Sequence, residues 1–123
     1  MNIVLWVIQV LLAVAFLVHG RVMLSPPATL QPGMAYVRDI APGPRRIIGI
    51  LEILAAIGLV LPWLTGILPW LTPLAAAGLV VLMAGSAIYH ILRREYGNIV
   101  LNLVLLALAA FVAYGRFAAI SIA

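Results

Sequence analysis

Residues 47–92 read IIGILEILAAIGLVLPWLTGILPWLTPLAAAGLVVLMAGSAIYHIL, and this stretch decides the fold. It contains one charged residue, Glu52, and is otherwise apolar almost without a break. A membrane-spanning helix needs about 20 apolar residues, because it rises about 1.5 Å per residue through a hydrocarbon core about 30 Å thick. The stretch is too long for one span, so it predicts two helices that fold back on each other.

A repeated tetrapeptide marks the turn between these two helices. The sequence PWLT occurs at residues 62–65 and again at residues 69–72, and Pro73 follows directly. Proline disfavours the interior of a helix, and tryptophan is enriched at the membrane interface. We therefore expect an interfacial hairpin at residues 62–73, with Thr72 as the N-cap and Pro73 as the first residue of the next helix.

Two further apolar segments flank this pair of helices. The predicted spans are residues 2–24, 45–61, 73–92 and 98–116, all in a single domain that covers residues 1–123. Hydrophobic residues make up 67% of the chain and charged residues 8%, whereas soluble domains carry about 25% charged residues. The predicted fold class is all-α, a polytopic membrane protein built as a four-transmembrane-helix bundle. No basic residue precedes the first apolar run, so we interpret that run as a retained helix rather than a signal peptide.

Residues 25–44 form the only sizeable segment expected outside the membrane. Their five prolines rule out one continuous helix. Residues 34–40 lie between these prolines and predict a short interfacial turn, with Tyr36 and Arg38 at the level of the lipid headgroups.

The arginines are distributed unevenly between the two sides of this bundle. One side carries only Arg116, and the other carries Arg21, Arg38, Arg45, Arg46, Arg93 and Arg94. The positive-inside rule then places residues 25–44 and 93–97 in the cytoplasm and both termini outside it. We interpret the net charge of +4 as a topology signal, and expect no binding to nucleic acid. All seven basic residues are arginine, which favours a GC-rich bacterial genome and hence the inner (plasma) membrane.

Small residues one heptad apart predict close packing between helices. Gly49 and Ala56 form one such pair, and Gly78 and Gly85 form another. Helices in lipid associate through faces where small side chains let the backbones approach.

Each predicted helix brings polar groups into the same half of the membrane. Glu52 lies about 9 Å beyond Arg46 at a rise of 1.5 Å per residue, and an acid inside a membrane helix is costly unless it is paired, protonated or hydrated. We predict an intramembrane polar cluster made of Glu52, His19, His90, Asn102 and Ser86.

Two interpretations of this cluster stay open. In the structural interpretation, Glu52 pairs with Arg21, Arg46 or a histidine and locks the bundle, and His19 and Asn102 are its expected neighbours. In the functional interpretation, Glu52 is a proton site or a ligand site. The sequence assigns no catalytic residue to the cluster.

Other chemistries find little support in the sequence. The chain has no cysteine, which excludes thiol–disulfide chemistry, thiolate metal sites and Fe–S clusters. His19, His90 and Glu52 have the ligand types of a metal site but no supporting spacing, so no metal is predicted. No nucleotide-binding fingerprint and no nucleophile–base motif is present.

Two long segments resemble the DoxX-like family of small four-helix integral membrane proteins. They are RIIGILEILAAIGLVLP at residues 46–62 and LTPLAAAGLVVLMAGSAIYHILRRE at residues 71–95. The His19-Gly20 dipeptide at the end of the first helix and FVAYGRF at residues 111–117 extend the resemblance over nearly the whole chain. The most specific element is Gly-x-x-Glu at residues 49–52, followed by Gly58-Leu59.

This resemblance implies a setting for the protein more firmly than a reaction. The family takes its name from a subunit of a thiosulfate:quinone oxidoreductase, and related proteins include membrane assembly chaperones. The resemblance therefore implies a subunit or assembly partner of another membrane protein, with a quinone-linked redox complex as one setting and a homo-oligomer as another. The alternatives are a stand-alone quinone-binding oxidoreductase and a small-molecule or proton carrier that uses Glu52 and the histidines. No cofactor other than quinone is expected.

Overall fold

The computed structural model describes residues 1–122, the last two by their backbone alone, and within this range it contains helices and no strand. The helices are α1 (Asn2–Leu24), α2 (Tyr36–Asp39), α3 (Pro42–Thr65), α4 (Leu71–Leu92) and α5 (Tyr96–Ile122). Helices α1, α3, α4 and α5 are each long and apolar enough to cross a membrane. The predicted all-α fold with four spans is confirmed.

The four long helices form a closed ring. Helix α1 packs against α3 and α5, and α4 packs against the same two helices. The side chains inside the ring are large and apolar, and they include Leu12, Phe16, Leu59, Leu79 and Val112. The outward faces are apolar as well, so this surface suits lipid rather than water.

Helices α1 and α3 cross at two glycines that bring their backbones into contact. A Cβ atom added to Gly49 would lie 2.7 Å from the carbonyl oxygen of Gly20, and one added to Gly20 would lie 2.8 Å from the carbonyl oxygen of Gly49. Only glycine allows so close an approach. The crossing places the last turns of α1 beside the first turns of α3.

The expected packing role of small residues is correct for α3 and wrong for α4. Gly49 and Ala56 are buried, but Gly78 and Gly85 are exposed, and a Cβ atom added to either would meet nothing within 4 Å. The inward face of α4 is formed instead by Ala76, Leu79, Met83 and Ala87. This face combines small and large side chains, so the heptad spacing of the two glycines did not indicate the packing seam of α4.

The expected break at Pro62 is also wrong, because α3 continues through Pro62 to Thr65. A proline inside a helix leaves the carbonyl four residues earlier without its usual N–H partner. Here that carbonyl belongs to Gly58, and the Thr72 hydroxyl donates a hydrogen bond to it at 2.8 Å. The helix ends at Gly66, whose φ of +73° is the left-handed conformation that glycine adopts readily.

Thr72 is therefore not the N-cap that the sequence indicated. Helix α4 already begins at Leu71, after Trp70, and the Thr72 side chain is buried against α3. The second repeat of PWLT thus connects two helices. The start of α3 also differs from the expected residue 45, because Pro42 and Pro44 are accepted in the first helical turn, where N–H groups have no partner.

Candidate functional site

A cavity of about 550 Å³ lies inside the half of the bundle that carries most of the arginines. We call this half the Arg-rich end and define it by Arg21, Arg38, Arg45, Arg46, Arg93 and Arg94. The cavity wall is mainly apolar, with Phe16, Met83 and Leu105 among its side chains. All five residues of the predicted polar cluster also line it: His19, Glu52, Ser86, His90 and Asn102. Topology had placed these residues at one depth, and the structure shows that they face one space.

Glu52 and His19 form a buried carboxylate–imidazole pair between α3 and α1. The Nδ1 atom of His19 lies 2.7 Å from Oε2 and 3.1 Å from Oε1 of Glu52. The Glu52 side chain is only 1% exposed, whereas that of His19 is 30% exposed. The pair joins the two helices directly above the Gly20–Gly49 crossing.

The partner of Glu52 is therefore a histidine, one of the three kinds of partner expected for it. The other expected neighbour, Asn102, does not contact the carboxylate. Its side-chain amide donates to the hydroxyl of Ser86 at 2.8 Å, which joins α5 to α4 across the cavity. Four of the five cluster residues thus form two hydrogen-bonded pairs, one between α1 and α3 and one between α4 and α5, and His90 bonds a residue outside the cluster.

Tyr36 adds a third member to the Glu52–His19 pair. Its hydroxyl lies 2.7 Å from His19 Nε2. When the Nδ1–H group of a neutral His19 donates to Glu52, the lone pair on Nε2 accepts from the Tyr36 hydroxyl. Burial, together with the nearby charges of Glu52 and Glu95, raises the pKa of Tyr36 to about 12, so its hydroxyl keeps its proton at neutral pH.

Tyr36 was expected at headgroup level in an interfacial turn, and the structure adds that its side chain is packed inside the protein. Tyr36 is buried, and its short helix α2 turns inward so that the ring covers the end of the cavity. The ring also meets the imidazole of His90 edge-on, with 4.8 Å between the ring centres. This role was not predicted, because a tyrosine in a proline-rich loop is more typical of a residue at the membrane interface. The signal that was available is the apolar neighbour Val37, which is also buried.

His90 is the first residue of a second series of polar contacts, which extends from the cavity wall to the protein surface. Its Nδ1 atom lies 2.8 Å from Oε1 of Glu95, and that same oxygen accepts a hydrogen bond from Arg93 at 2.9 Å. Arg93 also contacts Asp39 on α2 at 2.5 Å. Burial opposes the charge on Glu95, but the hydrogen bonds from His90 and Arg93 outweigh it and hold the pKa of Glu95 below its ordinary value of 4.5.

Polar contacts from the loop hold α2 in place over the cavity. Arg38 donates to the carbonyl groups of Pro27 and Ala28. Asn98 on α5 donates to the carbonyl of Gly33 at 2.9 Å. The loop before α3 is therefore fastened to itself and to α5, so that Tyr36 stays above His19.

Among the described residues, no group of three or more histidine or acidic side chains is arranged to hold a metal ion. His19 and His90, which the sequence offered as ligands, each contact the ring of Tyr36. Each histidine has its own carboxylate partner.

A second polar group lies at the opposite end of the bundle, which we call the Trp-rich end after Trp6, Trp63 and Trp70. There Arg116 of α5 is only 2% exposed. Its Nε donates to Gln9 of α1 at 2.6 Å, and Gln9 donates to the carbonyl of Leu59 at 2.6 Å. From the sequence, Arg116 was interpreted only as a topology signal. A cation and an amide at the same depth in two apolar helices, here Arg116 and Gln9, could have indicated this hydrogen bond.

The fold and the cavity together define a class of protein. It is a multi-pass, four-helix membrane protein with a ligand-sized cavity lined by the His19–Glu52 pair and by His90.

The chain belongs to the DoxX-like family, whose sequence profile matches residues 7–112. The matched range includes all five predicted cluster residues. No curated protein and no solved structure matches the chain significantly.

Proposed function

We propose that this protein binds a small, mainly apolar molecule with a hydrogen-bonding carbonyl or hydroxyl head, of the quinone class, in the cavity at the Arg-rich end. One observation carries the proposal. The side chains His19, Glu52, Ser86, His90 and Asn102 and the Tyr36 ring line a single space of about 550 Å³ whose remaining wall is apolar. Binding sites for small molecules typically measure about 300–1,000 Å³ and combine an apolar wall with a few polar groups.

The chemistry of the two walls supports a ligand that carries oxygen at both ends of a ring. On one wall, His19 lies between Glu52 and Tyr36, and on the other, the Asn102 amide lies beside the Ser86 hydroxyl. These groups can both donate and accept hydrogen bonds, which suits a carbonyl and the hydroxyl formed from it on reduction. The apolar wall accommodates the ring and the start of a hydrocarbon tail, whose remainder would lie in lipid.

The two histidine–carboxylate pairs suit a ligand that gains or loses protons. His19 passes its Nδ1 proton toward a fully buried carboxylate, whereas His90 reaches a carboxylate that is 21% exposed. His90 is itself only 3% exposed, so its route to water passes through Glu95, whereas the Nδ1 side of His19 faces a fully buried carboxylate. In this proposal His90 is the exchange residue and His19 the residue that orients the ligand.

The proposal includes a partner membrane protein and a location. The chain would serve as the quinone-binding subunit or assembly partner of a quinone-linked redox complex in the bacterial inner membrane. Electrons would reach the quinone through the partner. Both termini would lie outside the cytoplasm, as the arginine distribution indicates. Mass spectrometry of the gently solubilised complex tests this part, since a subunit should copurify with its partner.

The alternative functions expected from the sequence predict different experimental results. A proton or small-molecule carrier would show flux into liposomes that Glu52→Gln abolishes. A stand-alone oxidoreductase would turn over quinone as the purified single chain. Binding of quinone without either activity would support the subunit role.

A matched pair of glycines on α4 gives the test of the binding site. Gly85 lines the cavity, whereas Gly78, one heptad earlier on the same face of α4, does not, and a Cβ atom would meet nothing within 4 Å at either position. Gly85→Leu should fill part of the cavity, whereas Gly78→Leu would lie about 10 Å farther along α4, away from the residues that line the cavity. We expect organic solvent to extract a quinone from wild type and Gly78→Leu, and at least about tenfold less from Gly85→Leu. Equal recovery from both variants would contradict the site.

A further inference from the structure

The guanidinium of Arg116 at the Trp-rich end is a positive charge without a counter-ion among the described residues. The acidic side chains of the chain are Asp39, Glu52 and Glu95. Asp39 and Glu95 lie at the Arg-rich end. Glu52 lies seven residues before Leu59, whose carbonyl belongs to the Arg116 cluster, and so is about 10 Å away along α3.

Neutral groups hold this cation in one orientation. Gln9 accepts from Nε at 2.6 Å and Asn2 accepts from Nη1 at 2.8 Å. The rings of Trp63 and Trp6 bracket the guanidinium, with their centres 4.5 Å and 5.6 Å from Cζ. The remaining nitrogen, Nη2, is buried and has no hydrogen-bond partner. These contacts fix the arginine but leave its charge and one donor group unsatisfied.

The position of Arg116 along α5 is close to a membrane interface. It lies 20 residues beyond Tyr96, the first residue of α5, which is about 30 Å along the helix. That length spans the hydrocarbon core, so Arg116 reaches the far interface. Its hydrogen-bond partner Asn2 is exposed, and both bracketing tryptophans are half-buried. A single layer of side chains thus separates the guanidinium from the headgroup region.

We propose that Arg116 is an anion-binding site for a phosphate group at the Trp-rich end, with Nη2 as the free donor and Trp6 and Trp63 as its walls. Arginine binds phosphate through planar, charge-assisted hydrogen bonds. The phosphate of a phospholipid in the adjacent leaflet and free inorganic phosphate offer the same chemistry. This proposal does not depend on the quinone site, which lies at the other end.

The test measures thermal stability of the full-length protein in a maltoside detergent, which carries no phosphate. Phosphatidylglycerol, inorganic phosphate and chloride at equal ionic strength are added in separate arms. We expect phosphatidylglycerol to raise the melting temperature of wild type by roughly 5 °C. Arg116→Gln should lose this rise, and Arg46→Gln, which removes an exposed arginine at the other end, should keep it. An equal rise with inorganic phosphate alone would support the same site with a free anion as its ligand.

A second measurement on wild type keeps the proposal testable if Arg116→Gln does not fold. Phosphatidylglycerol with a photoreactive headgroup should label peptides that contain Trp6, Trp63 or Arg116, and excess unlabelled lipid should prevent this labelling. The proposal is overturned if wild type shows no rise with either phosphate source, or if Arg116→Gln and Arg46→Gln respond alike. Labelling that avoids the three residues would overturn it as well.

Discussion

Glu52 is the residue on which the structural and functional interpretations divide. Its side chain is 1% exposed, and within the described part of the chain its carboxylate bonds only to His19. Because His19 also contacts Tyr36 and the cavity, a change at Glu52 reaches both the packing of α1 against α3 and the binding site. Glu52 thus joins α1 to α3 and also lines the cavity, so both interpretations make predictions about its substitution.

The first prediction concerns Glu52→Gln. Gln keeps the size of the side chain but places an amide where His19 meets a carboxylate, so we expect a loss of stability of about 1–3 kcal/mol. Thermal unfolding in detergent measures it. Glu95→Gln is the matched control, since Glu95 also bonds a histidine but is 21% exposed, and it should cost less. If Glu52→Gln were as stable as wild type, the His19–Glu52 pair would not contribute to folding.

The polar residues of the cavity could be predicted from the sequence, but their hydrogen-bond partners could not. Glu52, His19, His90, Asn102 and Ser86 were accessible because helix rise and topology fix the depth of a residue. The partners depend on rotation about each helix axis, which four apolar helices leave nearly undetermined. The role of Tyr36 could not be predicted for a different reason. The path of a proline-rich loop depends on long-range contacts, such as the hydrogen bond from Asn98 to Gly33, and no local sequence pattern indicates them.

At the scale of elements, the contact between α1 and α3 depends on two glycines. The carbonyl oxygen of each glycine lies within 2.8 Å of the position that a Cβ atom on the other glycine would take. The crossing also brings His19 next to Glu52, so the close approach of two backbones is a condition for the polar pair. The sequence indicated the packing role of Gly49 but not its partner in α1.

The second prediction tests this crossing with Gly49→Ala. The added methyl group would lie 2.7 Å from the Gly20 carbonyl, so the helices must separate, at a cost of about 1–3 kcal/mol. Gly78→Ala is the control. Its Cβ atom meets nothing within 4 Å, and alanine favours helix by up to about 1 kcal/mol. Gly49→Ala should therefore lower the melting temperature, and Gly78→Ala should leave it unchanged or raise it. The reverse order would show that the close crossing is not needed.

The third prediction concerns the network that fastens α2 to the end of α4. The pKa of Glu95 is lowered in the folded protein, so its contribution to stability is present above about pH 4.5 and is lost as the pH falls through the lowered value. Wild type should melt at a higher temperature than Glu95→Gln at about pH 7, and the difference should shrink as the pH falls below about 4.5 and through the lowered pKa. A difference that stays constant over this range would contradict the charged role of Glu95.

For the whole molecule, the Arg-rich and Trp-rich ends divide the polar chemistry between two sides of a membrane. The Arg-rich end holds the cavity and both histidine–carboxylate pairs, and the Trp-rich end holds the buried Arg116. The number and approximate limits of the spans could be predicted, because length and hydropathy determine them. The continuation of α3 past Pro62 could not, because it depends on the hydroxyl of Thr72 from another helix.

The fourth prediction concerns the orientation of these ends. The chain has no cysteine, so single-cysteine variants can be labelled without background. Ile67 is exposed in the turn between α3 and α4, and Pro32 is exposed in the loop between α1 and α2. A membrane-impermeant maleimide added to intact cells should label Ile67→Cys but not Pro32→Cys, which should react only after the cells are permeabilised. The opposite pattern would place the Arg-rich end outside the cytoplasm.

The most direct test of the quinone-class binding site is the affinity of wild type in lipid nanodiscs for a short-tailed quinone analogue, compared with Tyr36→Phe and Tyr96→Phe. Tyr36 contacts His19 and lines the cavity, whereas Tyr96 is 68% exposed at the start of α5. Loss of the Tyr36 hydroxyl leaves His19 Nε2 without its partner, and we expect binding to weaken by about tenfold, which corresponds to one buried hydrogen bond. Tyr96→Phe should bind as wild type does. Saturable binding with this order of affinities would agree with the proposal, and wild type that binds no quinone, or equal affinities for both variants, would contradict it.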